Sequence, residues 1–320
     1  MRVEVPAGPD QGLAWHYGDP VAEQRLLDSG VGAVDLSNRD VLSIAGPDRL
    51  RWLHLLTSQV FEGLAPGSSV SAYVLSPQGH LEHALYGVDD GETFWAWTEP
   101  GRGEALVAWL ETMRFRMQVS VNRHHDLGLV WRPGPAPASG RHRSGQDCLG
   151  GYETLVSRSE IEHLLGPAPV GTWAYQARRI EYGVPRPFVD TDERTIPNEL
   201  GVPSAAVALD KGCYPGQETV ARVHNLGRPP RRLVRLHLDG SMSELPELGS
   251  ALHLAGAEPG RPVGRVGSSA FHHDLGPVAL ALVRRQVPVD AELVTGGIAA
   301  AQEALVDPQV GVHFRADLRS

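Results

Sequence analysis

Cysteine is scarce in this sequence. Cys148 and Cys213 are the only two in 320 residues, too few for the disulfide framework that small secreted proteins use. Residues 1–11 contain no apolar run after a basic start, so a signal peptide is not expected. No stretch approaches the ~18 uninterrupted apolar residues that mark a membrane-spanning helix. These absences predict a cytoplasmic protein of a reducing compartment, with no membrane partner.

Basic residues are outnumbered by acidic ones. The 29 Lys and Arg residues stand against 38 Asp and Glu residues, which gives a net charge of -9. Binding to DNA or RNA is driven by neutralising phosphates, so a nucleic-acid partner is not expected. A small anion in a locally basic pocket is compatible with this charge.

Several short motifs of familiar active sites are missing. The chain has no P-loop, no G-x-S-x-G, no H-E-x-x-H and no pair of C-x-x-C motifs. His124 and His125 are adjacent, as are His272 and His273. Neighbouring side chains on a strand point to opposite faces, so neither pair is a natural chelate. We therefore predict no metal site.

Helix and strand signals alternate irregularly over the first 228 residues, which favours the α+β class. Helices are predicted to begin at Asp19-Pro20, at Pro47, near Gly103 and after Gly171. Strands are predicted over 41–44, 70–75, 81–88, 94–97 and 116–121.

The pattern changes after Arg228-Pro229-Pro230. Beyond this point short apolar segments are separated by Gly and Pro, and those at 233–238, 264–268, 278–284 and 291–294 fit a small antiparallel barrel. We therefore predict two domains, residues 1–228 and residues 229–320.

The segment 211–222, KGCYPGQETVAR, carries the most chemical information. Gly212 and Gly216 suit a tight loop that leads into a helix. A thiol at Cys213 would lie near Lys211 and near unpaired helix amides, and both favour the thiolate. Cys213 and Lys211 are therefore the catalytic candidates. The alternative is that Cys213 is a buried structural cysteine that behaves as a small hydrophobe.

The run K-G-C-Y-x-G-Q-E followed by V-A-R resembles the signature of the YgfZ family of folate-binding proteins, relatives of the glycine-cleavage aminomethyltransferase. Residues 34–39, 44–48, 53–57, 179–185 and 262–285 are similar to further segments of that superfamily, so the resemblance spans nearly the whole chain. It implies a three-part, cloverleaf-like fold, with a central folate pocket between two interleaved subdomains and a C-terminal β-barrel. Mitochondrial relatives in this family assist iron–sulfur cluster assembly.

The resemblance also implies roles for single residues. Glu181 matches the carboxylate that accepts hydrogen bonds from a pterin ring, although an exposed Glu at a helix end is the ordinary alternative. Arg222 would lie near the anionic folate tail. Tyr214 would stack on the ligand or pack in the core, and Gln217 would contact the ligand or brace the loop.

Three further arginines, Arg228, Arg231 and Arg232, form a basic cluster at the domain junction. At least two of them are expected to belong to a solvated linker.

One segment departs from the aminomethyltransferase pattern. Where that enzyme has paired aspartates, this chain has Glu82 and His83. Misplacing a proton acceptor by about 1 Å can cost ~100-fold in rate, so aminomethyl transfer is expected to be lost while folate binding is kept.

The sequence therefore predicts a protein that binds tetrahydrofolate or a one-carbon derivative. Its expected role is to support assembly or repair of iron–sulfur clusters, with client or assembly proteins as partners. A folate-dependent aminomethyl or one-carbon transferase is the alternative, and a folate-binding protein with neither activity is a third.

Overall fold

The structure is a computed structural model that describes residues 1–201, 203–256 and 260–307. The α-helices in these ranges are α1 (Pro20–Asp28), α2 (Arg49–Leu56), α3 (Gly103–Thr112), α4 (Ile161–Leu165), α5 (Thr172–Glu181), α6 (Pro203–Ala206) and α7 (Gln217–Leu226). No helix in these ranges has the length and apolar character needed to cross a membrane.

Eighteen strands are present in the described ranges. In chain order they are β1 (Val3–Glu4), β2 (Ala14–His16), β3 (Ala33–Asp35), β4 (Asp40–Ala45), β5 (Ser69–Leu75), β6 (Leu81–Asp89), β7 (Thr93–Thr98), β8 (Ser120–His124), β9 (Leu127–Pro133), β10 (His142–Ser144), β11 (Gly151–Ser157), β12 (Pro169–Val170), β13 (Arg231–Leu238), β14 (Ala251–Leu254), β15 (Gly264–His272), β16 (Gly276–Arg284), β17 (Leu293–Thr295) and β18 (Ile298–Ala304). Strands β1 and β2 form an N-terminal hairpin, and the others form two sheets and a barrel.

The first sheet has the strand order β5-β6-β7-β4-β8 and is antiparallel. Helices α2 and α3 cover one face, because Trp52, Leu106 and Leu110 are apolar residues at helical spacing on their inner sides. They pack against Leu42 and Ile44, which alternate along β4 and point to the same face. Burial of this apolar surface, at roughly 25 cal/mol per Å², stabilises the first layer.

The second sheet has the order β10-β11-β9-β3-β12, in which only the short β3–β12 pairing is parallel. It faces the first sheet across a shared core. Val88 and Trp97 from the first sheet meet Leu129 and Trp131 from the second, and Tyr175 of α5 completes the contact.

The last six strands close into an antiparallel barrel of order β13-β16-β15-β14-β17-β18. Alternate residues such as Val234 and Leu236 fill its interior. On the outside of the barrel Leu280 packs against Ala177 and Ile180 of α5. Helix α5 therefore contacts both the shared core of the two sheets and the barrel.

The predicted α+β class and the C-terminal antiparallel barrel are confirmed. The first helix also begins as predicted, since the Asp19 carboxylate accepts hydrogen bonds from the amides of Val21 and Ala22 at 3.0 Å each. The first barrel strand begins at Arg231, and residues 257–259 and 308–320 of the predicted second domain lie outside the described residues.

Several boundaries predicted from the sequence are wrong, including two in the N-terminal region. The strand predicted over 116–121 is β8, which begins only at Ser120, and the second helix begins at Arg49 rather than at Pro47. Asp48 explains part of both errors, because its carboxylate accepts a hydrogen bond from the amide of Gln118 at 2.8 Å. That bond holds residues just before β8 in a turn.

Candidate functional site

The motif segment 211–222 forms a loop that leads into α7, as predicted. Gly216 immediately precedes the helix with a φ of +78°. A Cβ atom there would lie 2.5 Å from the carbonyl oxygen of Ser76 and 2.9 Å from the Cα atom of Gly79. The motif loop is therefore in backbone contact with the turn between β5 and β6, which belongs to the Gln78–His83 segment that departs from the aminomethyltransferase pattern.

Lys211 is buried beneath this loop. Its Nζ atom donates hydrogen bonds to the carbonyl oxygens of His54, Thr57 and Gln59 at 2.5, 2.7 and 2.8 Å. Burial lowers the pKa of the ammonium to about 8. All three N–H donors of the ammonium are thus used within the protein, and the side chain fastens the motif loop to the end of α2.

Lys211 is the only lysine in a chain with 29 Lys and Arg residues. An ammonium directs three donors tetrahedrally, whereas a guanidinium is a planar fork that does not match three converging carbonyls. The single lysine was a signal available in the sequence. The three converging carbonyls, which we call the carbonyl cage, explain why this position is lysine rather than arginine.

The other motif residues separate into exposed and buried positions. Cys213 is a free, exposed thiol, so the alternative of a buried structural cysteine is wrong. Tyr214 packs in a buried cluster with Tyr73 and Leu75, and burial raises the pKa of its phenol to about 12. Gln217 braces the loop by donating to the carbonyl oxygen of Lys211 at 3.0 Å.

Arg222 lies on an exposed face of α7. The predicted ligand contacts of Arg222, Tyr214 and Gln217 stay predictions.

A large open cleft lies beside the motif loop and has a volume of about 990 Å³. One wall is the β5–β6 turn and the start of β6, residues 76–83, including Glu82 and His83. Residues of the segment 188–193, Arg102 and Arg265 of the barrel also line it. The cleft is thus lined by parts of the first sheet, the segment after α5 and the barrel.

Charged groups of both signs line the cleft. Burial and the positive charge of Arg102 lower the pKa of His83 to about 4, so its imidazole is neutral at pH 7. Burial alone would raise the pKa of Asp192, yet hydrogen bonds and charge from Arg231 lower it to about 2. Asp192 is therefore an ionised, already paired carboxylate, while Arg102 and Arg265 form no ion pair in the described ranges.

Phe188 is the most unusual wall residue of the cleft. Its φ of +66° lies in the left-handed region, which bulky residues rarely adopt. The conformation is held by a hydrogen bond from its amide to Thr191 Oγ1 at 2.7 Å and by the Arg102 guanidinium, 4.2 Å from its ring centroid. Such strain persists only where surrounding contacts impose it, and it is typical of functional sites.

The space between the two sheets is a much smaller cavity of about 50 Å³. It is filled by Tyr73, Tyr86 and Tyr175 and by arginine–carboxylate pairs, among which Glu99 accepts from both Arg39 and Arg186 at 2.5 Å. An engineered cavity of about 150 Å³ is enough for benzene. This cavity is therefore too small for a bicyclic pterin, and the larger open space lies in the cleft.

Glu181 lies away from both spaces. It is the last residue of α5, and its carboxylate is 3.4 Å from Nε2 of His272 on β15. Its main-chain carbonyl accepts a hydrogen bond from Arg235 of β13. The structure thus places Glu181 against the barrel, and its predicted contact with a pterin stays a prediction.

The arginine cluster at the domain junction is not a solvated linker, so that expectation is wrong for Arg231 and Arg232. Arg231 forms ion pairs with Asp192 and with Glu199, whose side chain is fully buried. Arg232 is 1% exposed and donates to main-chain carbonyls of the barrel. A buried carboxylate such as that of Glu199 requires a cation nearby. Nothing in the local sequence around Arg231 shows that Glu199 lies beside it.

Sequence reasoning also missed Arg102, Phe188 and Arg265 as cleft residues. They come from three distant parts of the chain and carry no shared motif, so only the tertiary structure brings them together.

No protein-family model matches the chain. It is similar, however, to a solved aminomethyltransferase of the glycine cleavage system from Bartonella henselae, with a TM-score of 0.77 and 21% identity over 95% of this chain and 94% of that one. The fold is therefore that of the glycine-cleavage aminomethyltransferases.

Relatives in sequence are of two kinds. One is an aminomethyltransferase from Nitrosococcus oceani, 25% identical over 61% of this chain and 62% of the relative. Another is the human mitochondrial iron–sulfur cluster assembly factor IBA57, 28% identical over 62% of this chain and 64% of the relative. The chain thus spans slightly less than two thirds of these relatives, and it is related to aminomethyltransferases and to iron–sulfur assembly factors.

Proposed function

We propose that this protein binds a reduced folate in the cleft and supports the assembly or repair of iron–sulfur clusters. The observation that carries the proposal is the contact between the motif loop, which presents the exposed Cys213, and the residues 76–83 that wall the cleft. Relatives named as an aminomethyltransferase and as a cluster assembly factor support the two halves of the proposal.

The cleft has the size and charge for a folate. Ligand pockets typically measure ~300–1,000 Å³, and this one is about 990 Å³. The folate tail ends in carboxylates, and Arg102 and Arg265 are the lining cations that would pair with them. Carboxylates on the cleft wall, such as Glu82, would accept hydrogen bonds from the pterin N–H groups.

Cys213 is the residue that we propose for cluster work. Iron–sulfur clusters usually take four thiolates, so one cysteine does not hold a cluster alone. Partner proteins or free thiols must supply the other ligands. An exposed thiol on a braced loop is accessible to such partners, whereas Cys148 is buried.

The first test is calorimetric titration with tetrahydrofolate under anaerobic, reducing conditions. We expect micromolar binding, about -8 kcal/mol, that weakens about tenfold or more in Arg265→Ala and stays unchanged in Arg51→Ala, an exposed arginine outside the cleft. Glu181→Ala tests the role implied by the resemblance. Absence of binding in the unaltered protein would refute the folate half of the proposal.

The cluster half is tested in a strain that lacks the gene. We expect cluster-containing enzymes to lose activity and to recover with the intact gene and with Cys148→Ala, but not with Cys213→Ala. Normal cluster enzymes in the deletion strain would eliminate this half while leaving folate binding intact.

A folate-dependent one-carbon transferase is the second candidate. It is favoured by one observation, the neutral imidazole of His83 beside Glu82 on the cleft wall, since either group can accept a proton during such a transfer. This function requires turnover that is lost in Glu82→Gln or His83→Gln and kept in Cys213→Ala. The reverse dependence would exclude it.

A further inference from the structure

A second pocket lies away from the cleft, at the junction of the N-terminal hairpin, α5 and the barrel. Its volume is about 300 Å³. It is lined mainly by Val5, Trp15, Trp173, Gln176, Leu245 and Phe271, and we call it the aromatic pocket. None of these residues lines the cleft or carries a role in the proposed function.

Aromatic rings form the walls of this pocket. The rings of Trp15 and Trp173 stack with centroids 4.8 Å apart and an interplanar angle of 26°, and Phe271 lies 6.3 Å from Trp173. The walls are held in place, because the Trp173 indole N–H donates to the carbonyl oxygen of Phe271 at 3.3 Å. Trp15 is 37% exposed, so part of this wall faces solvent.

The polar groups beside the rings already have partners. The Asp10 carboxylate accepts from Arg186 twice, at 2.7 and 2.9 Å, from Asn38 at 2.8 Å and from Gln176 at 3.1 Å. A carboxylate offers about four acceptor sites, so Asp10 has none left for a ligand, and its charge is offset by Arg186.

Two hydroxyl groups at the pocket wall are also engaged. Thr172 donates to the carbonyl oxygen of Ala14, and Ser269 donates to that of Pro246, each at 3.1 Å.

We propose that the aromatic pocket binds a neutral, planar aromatic molecule of about two fused rings. The volume is twice the roughly 150 Å³ of an engineered cavity that accepts benzene. Flat walls of indole and phenyl rings favour offset stacking and edge contacts with another ring. A cation gains nothing from a carboxylate that is already neutralised, and no cationic side chain among the described lining residues attracts an anion.

The test is a ¹⁹F NMR titration of the full chain with 5-fluoroindole. We expect saturable binding with a Kd of about 1 mM or below, the range for a fragment of this size. The cationic probe 5-fluorotryptamine should bind no more tightly. Tighter binding of the cation would overturn the neutral-ligand assignment, and a lack of saturable binding of 5-fluoroindole would overturn the site.

Two variants locate the binding. Trp15→Ala removes one wall and should weaken binding at least fivefold, and Val5→Phe should fill the pocket and abolish it. Trp95→Ala is the matched control, since Trp95 is another partly exposed indole that lies outside the pocket. Thermal melting verifies that each variant is folded. Unchanged affinity in the two folded pocket variants would place the ligand elsewhere and reject the proposal.

Discussion

At the scale of single residues, Lys211 joins two parts of the candidate site. Its ammonium lies among three main-chain carbonyls, including that of His54 in the last turn of α2. The final carbonyls of a helix have no intrahelical partner, so a buried ammonium there satisfies groups that would otherwise lose hydrogen bonds. We therefore regard Lys211 as the residue that positions the motif loop.

Replacing Lys211 should be costly. Lys211→Met leaves buried carbonyls without donors, and we expect the free energy of unfolding to fall by about 2–4 kcal/mol. Lys211→Arg should recover only part of this loss, because its planar donors do not match the cage. Urea denaturation measures both. The exposed Arg51→Met is the control, and a loss below about 0.5 kcal/mol in Lys211→Met would contradict the cage as a stabilising contact.

His83 gives a prediction about pH. Its pKa in the folded protein is about 4, below the ordinary 6.5, because of burial and the charge of Arg102. Between these pH values the unfolded chain takes up a proton at His83 and the folded protein does not. The free energy of unfolding must therefore fall as the pH drops from 6.5 to 4, and no further contribution comes below 4.

The size of this effect is measured against His83→Gln. After allowance for partial exposure, we expect the unaltered protein to lose roughly 1–2 kcal/mol more than the variant over this range. Denaturant melts at pH 7, 5.5 and 4 supply the comparison, with the exposed His125→Gln as control. Parallel pH curves for the unaltered protein and His83→Gln would show that His83 titrates normally.

At the scale of elements, the candidate site depends on how the β5–β6 turn meets the start of α7. Gly79 has a φ of +83°, and a Cβ atom there would lie 2.8 Å from the Cβ atom of Thr219. Gly216 faces the same turn from the helix side. Two glycines at left-handed angles thus permit a backbone approach that no other residue type allows.

The motif loop offers a matched pair of glycines for testing this contact. Gly216→Ala combines a left-handed backbone with a close contact to Ser76 and should destabilise the protein by about 2–4 kcal/mol. In Gly212→Ala the new methyl group would meet nothing within 4 Å, and the change should stay within about 0.5 kcal/mol. Chemical denaturation measures the free energy of unfolding of both variants. Equal losses would mean that the backbone of Gly216 does not lie in close contact with Ser76.

At the scale of the whole molecule, ion pairs and hydrogen bonds connect the barrel to α5 and to the segment that follows it. Arg231 begins the first barrel strand and pairs with Asp192 and Glu199 before it in the chain. Asp190 accepts the amide of Ser268 in β15 and also pairs with Arg179 of α5. These contacts, with the apolar packing of α5 on the barrel, predict that the two regions unfold together.

Arg231→Met tests this connection. It leaves the fully buried Glu199 without its cation, and we expect a loss of about 3–5 kcal/mol. Arg231→Met with Glu199→Gln should recover part of it, because no unpaired charge remains. Calorimetry and denaturant melts should show one transition in the unaltered protein, and a separate barrel transition would argue against a cooperative unit.

The sequence by itself determined the local elements and the kind of fold. Proline and aspartate at α1, the β-branched and aromatic residues of β4 to β7 and the short barrel strands are local signals, because propensity and capping act over a few residues. The motif loop and its helix were predicted for the same reason.

Only the tertiary structure decided which side chains meet. Arg102, Phe188 and Arg265 line one cleft, and Arg231 neutralises a buried carboxylate, although nothing near them in sequence shows it. The small cavity between the two sheets is filled by tyrosines and ion pairs from distant parts of the chain, and the larger open space lies in the cleft. Contacts between distant residues are determined by packing and by the need to pair buried charge, and no local pattern records either one.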